Sequence, residues 1–152
     1  MNGALRLEAI TPDNVTAACR IKVTPEQEEF VAPVVHSLAE AYASVATAWP
    51  RLVYAGDEPV AFVMGGFDRD AEIDLFRCGI WRLNVSAEHQ GRGIGRFAVE
   101  AVLAEARRRG SSRATVLWKP GAGGPEGFYR RMGFLPTGQE LAGQIAGAID
   151  LA

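Results

Sequence analysis

The stretch Val85-Ser86-Ala87-Glu88-His89-Gln90-Gly91-Arg92-Gly93-Ile94-Gly95-Arg96 constrains this chain more than any other. It joins a strand read over Cys78–Val85 to a helix read over Gly93–Arg109. Ile94, Phe97, Ala98, Ala101 and Val102 recur at the spacing of one helical face. Arg107, Arg108 and Arg109 crowd the last turn, where cations suit the helix dipole, and Gly110 supplies a stop. Gly91, Gly93 and Gly95 stand where that helix begins. Glycine accepts positive φ, or lets another group approach the backbone closely. The first N–H groups of a helix lack partners, so a helix start behind such a turn suits an anion. The stretch therefore reads as a phosphate cradle between a strand and a helix.

The spacing narrows the choice of phosphate. Gly91-x-Gly93-x-Gly95 is not the dinucleotide fingerprint, because the third glycine comes too early. It is not a Walker A loop either, because no Gly-Lys-Ser/Thr closes it. Gln90-Gly91-Arg92-Gly93-Ile94-Gly95, following Leu83-Asn84-Val85, resembles the acyl-CoA loop of the GNAT family of N-acetyltransferases, a Gln/Arg-x-x-Gly-x-Gly/Ala pattern. The competing reading is a tight turn that only positions the helix.

Length and composition bound the rest. At 152 residues the chain reads as a single domain over 1–152, large enough for a sizeable core. With 48% hydrophobic and 22% charged residues it reads as globular rather than disordered. A net charge of -2 offers no basic excess, so nucleic acid is not an expected partner. Cys19 and Cys78 are too few for a disulfide framework and read as free thiols of a reducing compartment. Met1–Ile10 lacks a basic-then-apolar leader pattern, and no apolar run approaches the ~18 residues of a membrane span. The expectation is a soluble cytoplasmic protein with no membrane partner.

Along the chain, Leu5, Leu7 and Ala9 alternate as a strand, and Thr11-Pro12-Asp13 reads as the cap and first turn of a helix to about Ala18. Thr24-Pro25-Glu26 reads as another helix start. Val35, Leu38, Tyr42 and Val45 give a longer helix a core seam, ending before Trp49-Pro50. Arg51–Ala55 and Val60–Phe67 form a hairpin about Gly56-Asp57-Glu58-Pro59. After the central helix come a strand at Ala114–Leu117, a glycine-rich loop at 120–125, and a helix from Pro125 through Met132 that Gly133 ends. Strands at Phe134–Gln139 and Ile145–Leu151 close the chain. The order implies a mixed α/β sheet with helices on both faces.

That order also resembles the GNAT fold over nearly the whole chain. The resemblance implies an α/β (α+β) domain with a mostly antiparallel sheet of six to seven strands and helices on both faces. Phe128-Tyr129-Arg130-Arg131-Met132-Gly133-Phe134 resembles the family's second signature. Phe30-Val31-Ala32-Pro33, Trp81-Arg82-Leu83 and Pro136-Thr137-Gly138-Gln139-Glu140 are similar to the bacterial spermine/spermidine branch. One position departs: many members carry an Asn seven residues before the Tyr, and here it is Ala122.

The resemblance implies acetyl-CoA as co-substrate with no metal, a small amine such as a polyamine as acceptor, and a homodimer. Leu83, Asn84 and Val85 would meet the pantetheine and acetyl group. Gln90, Gly91, Arg92, Gly93, Ile94, Gly95 and Arg96 would hold the pyrophosphate. Tyr129 would protonate the departing thiolate, its alternative being a packing tyrosine beside Phe128 and Phe134. Glu40, Glu72 and Asp74 are the substrate candidates, and Glu72 or Asp74 could act as base through a water. These acids read equally well as solvated surface. His36 and Glu40, four apart, read as a solvated pair, and His89 as a surface histidine. Other acceptors on the same fold (an amino acid, an aminoglycoside, a protein N-terminus) and a non-catalytic acyl-CoA sensor stay open.

Overall fold

The computed structural model describes residues 4–151. Its strands are β1 (Leu5–Ala9), β2 (Ala48–Ala55), β3 (Glu58–Phe67), β4 (Cys78–Val85), β5 (Arg113–Trp118), β6 (Leu135–Leu141) and β7 (Gln144–Asp150). Its α-helices are α1 (Val15–Cys19), α2 (Val34–Ala43), α3 (Ile94–Arg108) and α4 (Glu126–Met132). The seven strands form one sheet in the order β1-β2-β3-β4-β5-β7-β6, antiparallel everywhere except between β4 and β5.

Two apolar layers hold the helices to the sheet. On one face α3 and α4 bring Val99, Val102, Ala106 and Tyr129 against Val53, Val63, Val116 and Phe134. On the other, α1 and α2 bring Ala18, Val34 and Ala41 against Leu52, Phe62 and Met64. β3 is covered on both faces, which is why Val60–Phe67 reads as an unbroken apolar run rather than an alternating one.

The helix seam expected on α2 is displaced. Val35, Tyr42 and Val45 are exposed, and the buried positions are Val34, Ser37 and Ala41. Val34, Ser37 and Ala41 face the sheet with Leu38 partly buried beside them, while Val35 and Tyr42 face outward. The helix start expected at Thr11 falls instead at Asn14, whose side chain accepts from the Thr11 amide at 2.8 Å and donates to the Ala9 carbonyl at 3.0 Å. Thr24-Pro25 opens only one 3-10 turn, Pro25–Gln27. Trp49 and Pro50 lie inside β2 rather than before it. The Phe67 amide bonds the Thr47 carbonyl, which sets the ladder so that the Pro50 nitrogen points away from β3. On that side β1 has already ended, at Ala9 opposite Arg51.

The parallel junction is short: only Gly79 opposite Thr115 and Ile80 opposite Val116 pair. Gly79 permits it, because a Cβ there would sit 2.3 Å from the Thr115 carbonyl oxygen. The Thr115 hydroxyl adds bonds to the Leu75 carbonyl at 2.7 Å and the Cys78 carbonyl at 3.2 Å. Gly79→Ala should therefore lower stability by about 1–3 kcal/mol through overpacking against backbone that cannot yield. Urea denaturation checks this, and an unchanged midpoint would refute the role given to Gly79.

Candidate active site

The site grows from where β4 and β5 part. The Ser86 amide bonds the Val60 carbonyl at 2.9 Å, so Asn84 exchanges its backbone bonds with Phe62. Leu83 and Val85 then turn their N–H and C=O groups the other way, toward β5. β5 no longer pairs there, since its ladder with β4 ends at Ile80. A bulge puts Trp81 out of register with β3 just as the strands separate. A length of strand edge is left open inside the molecule.

The glycine turn lies at the end of that edge. Gly91 and Gly93 have φ of 74° and 78°, and Gly93 caps α3. Gly95 acts differently: a Cβ on it would lie 3.2 Å from the Phe128 ring, so it admits α4 against the first turn of α3. The first helical bond runs from the Phe97 amide to the Gly93 carbonyl. The amides of Ile94, Gly95 and Arg96 precede it and have no helical acceptor.

A cavity of about 900 Å³ connects these parts, within the range of ligand sites. Leu83, Val85, Gln90, Gly91, Gly93, Ile94, Gly95, Arg96 and Tyr129 all line it. Arg92 is exposed and is not part of its wall. Asn84 is buried, and its side chain donates to the Ala32 carbonyl at 3.0 Å, fixing the segment before α2. The Gln90 carboxamide is also spent internally. It donates to the Val85 carbonyl at 2.8 Å and to Gln27 Oε1 at 3.1 Å, and it accepts from Gln27 Nε2 at 3.3 Å. Arg96 pairs with Glu100 at 3.3 Å.

Tyr129 lines the cavity and packs among aromatic rings. Its ring stacks on Trp118 at 6.0 Å and meets the edges of Phe128 at 5.1 Å and Phe134 at 5.7 Å. None of the hydrogen bonds among the described residues uses its hydroxyl. Burial pushes the phenol above its ordinary pKa, so the group is a standing hydrogen-bond donor.

The expected substrate acids separate. Glu72 and Asp74 are exposed and line neither this cavity nor its neighbour; Asp74 pairs with Arg113 and Arg77. Glu40 lines the neighbour, a second space of about 400 Å³. The two cavities share Trp81, Arg82, Val116, Leu117 and Gln144, so they meet across the parted strands. His36 and Glu40 do form an exposed pair, at 3.2 Å. His89 is not a surface residue: it is buried, lines the main cavity and lies 3.3 Å from Glu58.

The outer wall is Gln27–Pro33, of which the sequence marked Phe30-Val31-Ala32-Pro33 only by its family resemblance and not as a cavity wall. Phe30 packs on the glycine loop, where a Cβ on Gly124 would lie 2.9 Å from its ring. Lys119 reaches the Glu29 carboxylate at 3.8 Å. The clue was Gly121 and Gly124, whose missing side chains leave room for an aromatic ring. Ala122, the departure from the family pattern, is exposed and does not line the cavity.

Comparison with known proteins agrees with this geometry. A model of the acetyltransferase (GNAT) family matches residues 15–134. The chain belongs to that family. It is similar to N-acetyltransferase 8 of Mus musculus, with 24% identity over 129 residues, 82% of this chain. It spans 57% of that relative's length. In solved structures, the GNAT domain of S. lividans PAT gives a TM-score of 0.76 at 19% identity, covering 97% of this chain and 91% of that one. PaiA N-acetyltransferase from Thermoplasma acidophilum, solved in complex with coenzyme A, gives 0.71 at 11% identity, covering 97% and 99%. At these identities the likeness is one of fold. Among the described residues no helix is long and apolar enough to cross a membrane.

Two outcomes follow from the geometry. Gln27→Ala and Gln90→Ala should each destabilise the turn, with a coupling in the double-mutant cycle of about 0.5–1.5 kcal/mol. Strict additivity in urea would mean that the paired amides do not hold one another. For Tyr129, the folded state holds the phenolic proton more tightly than the unfolded chain. That contribution to stability is complete below about pH 10 and falls as pH rises past it. Tyr129→Phe should therefore leave the tyrosinate absorbance of the folded protein unchanged at about pH 10.5. Loss of one tyrosine's signal there would show that the phenol is not shielded.

Proposed function

We propose that the chain transfers an acetyl group from acetyl-CoA to a primary amine in a ternary complex. The observation that carries this reading is the open edge of β4 beside the start of α3, with Tyr129 lining the same cavity. The cavity fits an anionic ligand. Its charged lining is Arg82, Arg96, Lys119 and Arg131 against Glu28 and Glu29. Acetyl-CoA supplies the activated thioester: the amine nitrogen bonds to its carbonyl carbon, the C–S bond breaks, the sulfur takes a proton and the nitrogen sheds one.

The chain's residues divide the remaining work. The open groups of Leu83 and the N–H of Val85 orient the acyl arm, and the N–H groups polarise its carbonyl, while the Val85 carbonyl is held by Gln90. The unbonded amides of Ile94, Gly95 and Arg96 meet the pyrophosphate, and Arg96 adds charge. Gln90 and Asn84 act on the scaffold, through Gln27, Val85 and Ala32, rather than on the ligand. Tyr129 donates a hydrogen bond to the departing sulfur. Its raised pKa lies above that of a free thiol, about 8.5, so it keeps its proton and stabilises the charge developing on the sulfur through that hydrogen bond, the sulfur's proton coming from solvent. Holding both reactants in attack geometry supplies the rest.

For the acceptor, the resemblance favours a polyamine, and Glu28 and Glu29 in the wall give it some support. A homodimer is carried by the same resemblance, and Val35, Tyr42 and Val45 form an exposed apolar strip on and just beyond α2 suited to a partner. Sedimentation of the purified chain tests that assembly. The test of the reaction is acetyl-CoA-dependent thiol release over amines of different class. Tyr129→Phe should lower kcat by about 100-fold or more, with little change in KM for acetyl-CoA. Tight acetyl-CoA binding without release for any amine would favour the acyl-CoA sensor instead.

A further inference from the structure

The smaller cavity, lined by α2 on the far side of the parted strands, has an unusual charge inventory. Its only charged lining residues, among those described, are Glu40 and Arg82. Arg82 Nη2 donates to Glu40 Oε1 at 2.7 Å, and Nη1 donates to the Trp81 carbonyl at 2.9 Å. The Arg82 side chain is only 25% exposed, while that of Glu40 is 43% exposed. The second Glu40 oxygen faces His36. A guanidinium carries five N–H donors, so Arg82 has capacity left after these two bonds. It also lines the main cavity, so it stands where the two spaces meet.

We propose that the acceptor is a zwitterion, an amine that also carries a carboxylate, and that it binds by sharing out the Arg82–Glu40 pair. This rests on the acetyl-transfer reading above and replaces its polyamine acceptor with a zwitterion. The acceptor's carboxylate takes Arg82 in a bidentate contact in place of Glu40. Its ammonium meets Glu40 until it sheds its proton to the water that reaches that exposed carboxylate. One internal ion pair becomes two intermolecular ones, and no buried charge loses its partner.

Other amines fit less well. A polyamine brings several positive charges to a cavity with one carboxylate, already engaged by Arg82 and approached by His36. A simple monoamine that draws Glu40 away leaves a mostly buried guanidinium without its carboxylate, a costly state. A monoamine that leaves the pair intact finds no charged group to orient it.

The experiment compares matched acceptors with the whole chain: amino acids with the amine at the α and ω positions, the amide of each, the amine lacking the carboxyl group, and spermidine. The wild type should favour the free acid over its amide by about 10- to 100-fold in kcat/KM. Arg82→Gln should erase that preference, chiefly by raising KM for the acid. Arg82→Lys, which keeps the charge but not the fork, should retain part of it. Equal or better use of the amide, the plain amine or spermidine by the wild type overturns the proposal and leaves acetyl transfer standing. If no amine is acetylated, calorimetry of the amino acids separates the two failures. Heat seen with the wild type and lost in Arg82→Gln supports the zwitterion site even though transfer has failed. No heat with any of them overturns it.

Discussion

The site depends on a pairing that stops. β4 and β5 join two halves of the sheet, β1 to β4 and β5 to β6, through two paired positions only. Gly79 brings the strands close enough to pair, and the bulge at Trp81 takes them apart again. Every unpaired backbone group beyond that point must find another partner or stay wet. The Val85 carbonyl finds Gln90, and the groups of Leu83 are left facing the cavity. A continuous parallel ladder would satisfy those groups and leave no room for a ligand.

Contacts that keep the parted strands from collapsing lie on both sides of the gap. Near the turn, Gly95 admits the Phe128 ring, so α3 and α4 touch across the two halves. At the outer wall, Phe30 lies on the glycine loop after β5, with Lys119 reaching Glu29. The Gln27–Gln90 amide pair ties the outer wall to the turn that starts α3. These links come from segments far apart in the chain, so the cavity's shape depends on the packed whole rather than on the glycine motif alone.

This division decides what the sequence revealed. The strand–turn–helix around Gly93 was legible because its signals are local: a glycine-dependent φ, a helical face and a basic last turn. Tyr129 was legible through a resemblance carried by adjacent residues. The seam of α2 was misread because Val35, Leu38, Tyr42 and Val45 keep helical spacing just as the buried stripe does. Ser37 and Ala41, which face the sheet, are too small to register as a hydrophobic signal. His89 was misread because its burial comes from tertiary packing that the neighbouring sequence does not show, with Glu58 of a distant hairpin 3.3 Å away. Glu72 and Asp74 were drawn in by their place before β4, yet the 3-10 turn at Asp74–Phe76 leaves both exposed, away from the gap. Arg82 entered only within the Trp81-Arg82-Leu83 resemblance, and its pairing with a carboxylate on α2 was not visible there.

The two spaces around the gap solve opposite electrostatic problems. On the larger side the proposed ligand is strongly anionic, and the answer is distributed: helix amides, four basic side chains, and a phenol whose pKa burial raises further. Such a field attracts charge without demanding one geometry. On the smaller side the charges nearly cancel, so net attraction selects nothing. A neutral ion pair discriminates by position, because an incoming group gains only if it replaces each broken contact with another. Burying Arg82 to three-quarters of its surface costs desolvation that a well-packed apolar residue would avoid. That cost is recovered when a ligand supplies the second anion, and it is this unsettled guanidinium at the meeting point of the two cavities that gives the acceptor side its chemistry.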